Sequence, residues 1–285
     1  MKNKEFIKYI LSNLLFGANG LVASYILLRS TQIVFLRTLV GGVSLLILFL
    51  LGGGRFTFWK KGRQFLFLAL SGIAMGTSWM FLYEAYDRIG VSLGTLLYYC
   101  GPVIVMMTAP LIFRERLKAG TLMGFGMVLL GVFLINGGAA VGTLDLVGIV
   151  CGLLSAVTYA AMVICNKKAR DISGLENPTL QLLVSFLTVT AFLSVRGELA
   201  MEITAASLLP IAILGVLGTG IGCWLYFTSI GKLPVRTVAA FGYLELVSAV
   251  FFAAIFLRES LSPGQWLGGA LIVGGAVRGE LKGKG

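Results

Sequence analysis

Apolar residues run through the chain in long uninterrupted blocks, and polar residues collect between them. The blocks show neither the two-residue alternation of a half-buried strand nor a heptad seam. A helix that crosses a bilayer needs about 20 mostly apolar residues, each rising about 1.5 Å. Blocks of this kind fall at about 6–28, 32–51, 64–86, 91–113, 119–136, 146–166, 178–195, 208–230, 234–257 and 263–279. The pattern predicts an all-α membrane protein of ten transmembrane helices joined by short links. Strands of a transmembrane barrel would instead alternate over about 10 residues. The first block, Phe6 to Leu28, is longer than the apolar core of a cleaved leader and is expected to persist as a helix.

Composition agrees: 58% of the 285 residues are hydrophobic and 12% charged, against about 25% charged in a soluble domain. The net charge of +11 takes its meaning from position. The N-terminus, every second link and the C-terminus together hold 18 of the 23 Lys and Arg residues. The opposite side holds Arg29, Arg88, Arg196 and Arg258, and Arg37 lies inside a block. The positive-inside rule then places both termini in the cytoplasm of a multi-pass cytoplasmic-membrane protein. The basic excess fixes topology, and nucleic acid is not an expected partner. Cys100, Cys151, Cys165 and Cys223 all lie in apolar blocks, and the chain contains no histidine. Zinc sites and Ser-His or Cys-His chemistry lose their usual parts, so no metal, cofactor or enzymatic activity is expected.

The chain also repeats itself. Shifted by 144 residues, Ala109–Gly131 matches Ala253–Gly275 at seven positions, including Arg114-Glu115 with Arg258-Glu259 and Gly124 with Gly268. The expected division is 1–140 and 141–285, within one integrated membrane domain. Five helices is an odd number, so the second half enters the membrane inverted, a plan that recurs among secondary transporters. Gly-x-x-x-Gly steps at 72/76, 90/94, 120/124, 148/152, 218/222 and 264/268 are expected to let helix backbones approach closely.

These features resemble the drug/metabolite transporter superfamily, EamA type. Phe16-Gly17-Ala18-Asn19 is similar to that family's Trp-Gly-x-Asn, and Phe35-Leu36-Arg37 to its second-helix arginine motif. Gly101-Pro102-Val103 followed by Arg114-Glu115-Arg116-Leu117 resembles its fourth-helix pattern. Leu244-Glu245-Leu246-Val247 resembles the ninth-helix Glu-Pro-Val, with leucine where the family has proline. The resemblance implies transport of a small metabolite, and export as the direction.

An ionisable residue at membrane depth is costly and is expected to have a task or a partner. Arg37, Glu84 and Glu245 qualify, with Glu245 near the midplane. Asn19, Arg37, Trp79 and Tyr98 share one level, while Tyr99, Trp224 and Tyr243 lie there or deeper. Aromatic rings around a carboxylate suit an ammonium-bearing solute, and an arginine adds a place for a carboxylate. The expected substrate site is Asn19, Arg37, Trp79, Tyr83, Tyr98, Tyr99, Trp224, Tyr243 and Glu245. Arg37, Glu84 and Glu245 form a coupling or ion-pair set, one alternative being that Arg37 and Glu84 simply pair. Tyr83, near a segment end, also reads as an interfacial anchor. Arg114, Glu115, Arg258 and Glu259 are expected to be gate or structural residues.

The functional reading is a secondary active transporter of an amino acid or amine-like solute, working by alternating access around a midplane pocket. Its partners are the solute, the bilayer and a proton or other coupling ion, in a monomer or homodimer. Import, uniport or exchange of an organic cation or sugar-like metabolite is the alternative. An intramembrane enzyme or a non-transporting scaffold is a distant one.

Overall fold

The computed structural model describes residues 2–115, 118–136, 145–256, 258 and 262–283, and these are helical with short links. The first half comprises α1 (Lys2–Ala23), α2 (Ser30–Leu51), a 3-10 turn at Phe58–Lys60, α3 (Gly62–Tyr98), α4 (Cys100–Phe113) and α5 (Ala119–Asn136). The second comprises α6 (Leu146–Lys168), α7 (Glu176–Arg196), α8 (Ala205–Ile213), a π-helical stretch at Leu214–Ile221, α9 (Gly222–Ile230), α10 (Val235–Phe241), α11 (Leu244–Phe256) and α12 (Pro263–Gly283).

Among the described residues, eight stretches are long and apolar enough to cross a membrane, including Gly62–Val91, Leu93–Phe113, Ala205–Ile230 and Val235–Phe256. The fifth expected block is a shorter apolar helix, Ala119–Ile135, and the tenth lies in α12. Outward-facing Leu111 and Val195 are 85% and 90% exposed, as they are where lipid tails rather than water cover the surface.

Several expected single helices are interrupted. The polypeptide turns from α3 proper toward the next span at Gly90, whose φ of 80° is strained for any residue with a Cβ. The fourth span then breaks at Tyr99, and the ninth at Gly242–Tyr243 between α10 and α11. The second break forms although Leu246 replaces the family's proline, so it does not depend on a missing N–H. One carbonyl at the first break, that of Tyr99, accepts the Tyr243 hydroxyl at 2.7 Å. The expected block 208–230 is divided by the π-helical stretch, in which the Thr219 hydroxyl donates to the Leu214 carbonyl at 2.9 Å.

The 144-residue offset carries far beyond the matched window. Arg114 and Arg258 both adopt φ 56°, and α5 and α12 begin 144 positions apart, at Ala119 and Pro263. Gln32, in the first turn of α2, donates to the carbonyls of Glu198 and Ala200 in the α7–α8 link. Its counterpart Glu176, in the first turn of α7, accepts from the backbone of Thr57 and Phe58 in the α2–α3 link. The two clamps are images of each other at opposite ends of the bundle.

Helices α5 and α12 pack antiparallel along glycines. A Cβ on Gly124 would stand 2.5 Å from the Gly275 carbonyl, and one on Gly131 equally close to that of Gly268. The 144-residue shift converts one contact into the other, so the relation between the halves passes between these helices. The glycines in contact are seven apart, not four. The Gly120/Gly124 and Gly264/Gly268 steps therefore contribute through Gly124 and Gly268, while Gly264 has only ordinary van der Waals neighbours. Gly72 and Gly76 do pack on α7, and Gly148 and Gly152 on α3. Gly90 serves the bend and faces open space.

Candidate functional site

A cavity of about 830 Å³ lies between the halves. Its lining reaches Ser24, Ser30, Val91 and Gln265, at the end of the bundle opposite the N-terminus. Toward the N-terminal end it stops at Tyr159, Met162, Tyr226 and Phe227. Below them Ile230, Leu233, Val235, Val238, Val105 and Met106 close into buried core. Tyr9 is wholly buried in that core, and its hydroxyl donates to the Val238 carbonyl at 2.7 Å.

Each wall follows from local structure. In α2, Gly41 lets the helix approach the π-helical stretch, where a Cβ would lie 3.0 Å from the Gly215 carbonyl. That approach brings Thr219 to Arg37, whose Nε donates to the threonine hydroxyl at 3.0 Å. The guanidinium carbon lies 4.7 Å from the centre of the Trp79 ring, a cation–π contact. Arg37 is only 7% exposed. Held by Thr219 on one side and Trp79 on the other, it makes no ion pair with a carboxylate among the described residues.

Glu245 stands in the first turn of α11, immediately past the break at Tyr243, and lines the cavity. Among the described residues no hydrogen bond or ion pair reaches its carboxylate. Gly17 permits the close approach of α1 that closes this part of the wall, since a Cβ there would meet the Ser248 hydroxyl and the Glu245 carbonyl. Aromatic rings complete the enclosure. The Tyr98 and Tyr159 rings meet edge to face at 5.3 Å, and the Tyr159 and Tyr226 hydroxyls lie 3.3 Å apart.

Of the expected substrate residues, Asn19, Arg37, Trp79, Tyr83, Tyr98, Tyr99 and Glu245 line one cavity. Trp224 and Tyr243 do not. Cavity-lining Cys223, Tyr226 and Phe227 occupy one face of α9, and Trp224, about 200° of helical turn from Tyr226, points elsewhere. Tyr243 is wholly buried against Tyr99 and Phe125. Sequence depth places a residue at a level but not on a face, which is also why Tyr86, Tyr159 and Tyr226 went unmarked. Spacing of i, i+3 and i+4 around Tyr226 was the available signal.

Glu84 does not pair with Arg37. It accepts from Arg88 at 2.6 Å and from Arg196 at 2.5 Å. Arg88 continues to Asp145 at 2.9 Å, and Arg196 to Glu198 at 3.4 Å. This network ties α3, α6 and α7 at the cavity-mouth end and satisfies Glu84 outside the cavity. Arg114 and Arg258 are exposed and serve the left-handed turns at their helix ends. Glu259 lies outside the described residues.

Glu115 has a definite task. Its carboxylate accepts from the backbone N–H of Val235 at 2.8 and 3.1 Å and from that of Arg236 at 3.4 Å. Lys167, which directly follows the predicted block 146–166 and so counts among the basic link residues, is only 4% exposed. Its ammonium donates to the carbonyls of Ile230 at 2.8 Å and Leu233 at 2.5 Å. Two charges from the α4–α5 link and α6 thus hold both sides of the α9–α10 turn, directly beneath the closed floor.

The model of the EamA-like transporter family matches residues 4–137 and again 146–277, one match for each repeat. The chain is similar to the uncharacterized transporter YxxF of Bacillus subtilis (strain 168), with 25% identity over 96% of this chain and 88% of the relative. An uncharacterized transporter of Archaeoglobus fulgidus is 24% identical over 94% of this chain and 93% of its own. A solved crystal structure matches with a TM-score of 0.84 at 17% identity, covering 98% of each chain, which shows a shared fold. Two family matches in tandem, over nearly the whole chain and in register with the structural repeat, place this protein in the EamA-like transporter family of the drug/metabolite transporter superfamily.

Proposed function

We propose that the protein is a secondary active transporter that exports a small amino-acid or amine-like solute across the cytoplasmic membrane, with both termini inside. The observation that carries the solute class is the presence, in one aromatic-walled cavity, of a carboxylate and an arginine that form no ion pair among the described residues. Glu245 would take the ammonium group and Arg37 the carboxylate of a zwitterion, while tyrosine faces favour the cation. Export as the direction follows the motif resemblance. With the termini inside, the cavity opens outward, and residues 1–140 rock against 141–285 to expose it to the other side.

A thermal-shift series on the purified protein, using amino acids, polyamines and quaternary amines, tests the class. Zwitterions and amines are expected to raise the melting temperature in a concentration-dependent way. They should then appear as counterflow substrates in vesicles. A response confined to sugars or organic anions would overturn the reading.

On this reading the Glu115 and Lys167 bonds hold the inner gate shut. Hydrogen bonds to a charged group contribute about 1.5–3 kcal/mol each, so removing both is expected to raise the inward-open population by tenfold or more. A cysteine at Met106, a residue 1% exposed beneath the cavity, reports this in a background without the native cysteines. Its maleimide labelling is expected to rise at least tenfold in Glu115→Ala/Lys167→Met. Unchanged labelling in a variant that melts normally would show that the two charges do not gate.

A further inference from the structure

A second, smaller crevice lies near the N-terminal end of the bundle, separate from the solute cavity. About 310 Å³ in volume, it is bounded by Arg63, Gln64 and Phe67 of α3, Ile112 and Phe113 of α4, and Lys168 and Arg170 around the end of α6. We propose that it binds the phosphate of an anionic phospholipid of the surrounding bilayer.

Three cations converge on the crevice. Arg63, Lys168 and Arg170 are exposed, and among the described residues none of them makes an ion pair. Two are nonetheless positioned. The Lys168 ammonium lies 5.5 Å from the centre of the Phe67 ring, and Arg170 is tethered through Nε to the Lys167 carbonyl at 3.2 Å. That tether leaves the terminal guanidinium nitrogens of Arg170 for a bidentate contact with phosphate. The Gln64 side-chain oxygen is buried without a donor, an acceptor suited to a hydroxyl on the lipid headgroup.

The floor argues for a lipid over a soluble phosphate. Phe67, Ile112 and Phe113 form an apolar base, and the neighbouring Leu66 and Leu111 are 56% and 85% exposed on the lipid-facing surface. A phosphate ion would use the cations and leave this base uncovered, whereas an acyl chain continues from it. Basic pockets between helices at the cytoplasmic side favour anionic headgroups for this reason.

The internal repeat separates this crevice from ordinary consequences of the fold. Under the 144-residue shift, Arg63, Gln64 and Phe67 correspond to Ser207, Leu208 and Ile211, and Lys168 and Arg170 to Ser24 and Ile26. The fold is built twice and the cations once. Topology rules account for basic residues in the links, but not for their convergence over an aromatic base.

Lipid retention by the purified full-length protein, read by native mass spectrometry, tests the site beside thermal shifts. The probes are phosphatidylglycerol, phosphatidylcholine and inorganic phosphate, each at the same concentration. Phosphatidylglycerol is expected to be retained and to raise the melting temperature, and the other two are not. Arg63→Gln/Lys168→Gln/Arg170→Gln is expected to lower phosphatidylglycerol retention at least tenfold. Lys4→Gln/Arg55→Gln/Lys60→Gln removes the same charge from exposed positions at the same end and is expected to retain it. Equal loss in both triple variants would reduce the effect to general surface charge and overturn the proposal. So would retention of phosphatidylcholine at the same level, or stabilisation by inorganic phosphate equal to that by the lipid.

Discussion

Replacing Glu245 with glutamine is expected to abolish solute flux in reconstituted vesicles while leaving the protein folded. The carboxylate makes no hydrogen bond or ion pair among the described residues, so the isosteric amide removes charge without removing a structural contact. The cavity, in contrast, loses the one acidic residue that lines it among the described residues. Removing one partner from a desolvated ion pair costs about 3–5 kcal/mol, which is a loss of roughly a hundredfold or more in apparent affinity for an ammonium-bearing solute. If the same carboxylate also carries the coupling proton, the amide acts as its permanently neutral form, and proton-driven flux fails even where binding survives. The check is flux of a solute that the unaltered protein moves, measured beside the melting temperature. Flux within twofold of the unaltered protein would end the assignment of Glu245 to the transport pathway.

The second large effect concerns the α5–α12 contact. Gly131→Leu is expected to prevent normal assembly of the two halves, because even its Cβ would lie 2.5 Å from the Gly268 carbonyl and 2.8 Å from Ile272. A backbone carbonyl cannot swing aside as a side chain can. Overpacking of this kind costs about 1–3 kcal/mol even where neighbours are flexible, and here two backbones must separate. Gly126→Leu is the control: it lies on the same helix, and a Cβ there meets nothing within 4 Å. The leucine at 131 is expected to lower folded yield and melting temperature sharply, and that at 126 to leave both near normal. Equal melting of the two variants would remove the contact from any account of how the halves join.

Much of this was legible in the sequence because membrane burial writes itself in blocks. Lipid demands continuous apolar segments, so helix positions followed directly, and the Arg-Glu strings exposed the repeat. Glu245 and Arg37 stood out for the complementary reason, that charge at membrane depth is scarce. What stayed hidden depends on direction within a helix. Trp224 and Tyr226 share a depth and differ in the face they occupy. Lys167 looked like one more basic residue at a helix end until packing buried it beneath α9. Glu84 lies at the edge of its block, and distinguishing Arg37 from Arg88 and Arg196 as its partner required knowing which helix ends meet. The π-helical stretch was likewise invisible, since Gly215, Gly218 and Gly220 are compatible with an ordinary helix and with a wound-out one.

The buried Lys167 has a consequence for the resting balance of the molecule. In a protein made of two identical inverted halves, the outward and inward conformers would be related by a two-fold rotation and equal in free energy. The glycine crossing of α5 and α12 is its own image, so it supports both conformers alike and favours neither. Under the 144-residue shift Lys167 corresponds to Ala23, which has no ammonium to offer the opposite turn. On the alternating-access reading proposed above, the degeneracy is broken at this position, in favour of the conformer in which the lysine finds its two carbonyls. On that reading, a solute shifts the balance only by binding the other conformer more tightly by a comparable amount.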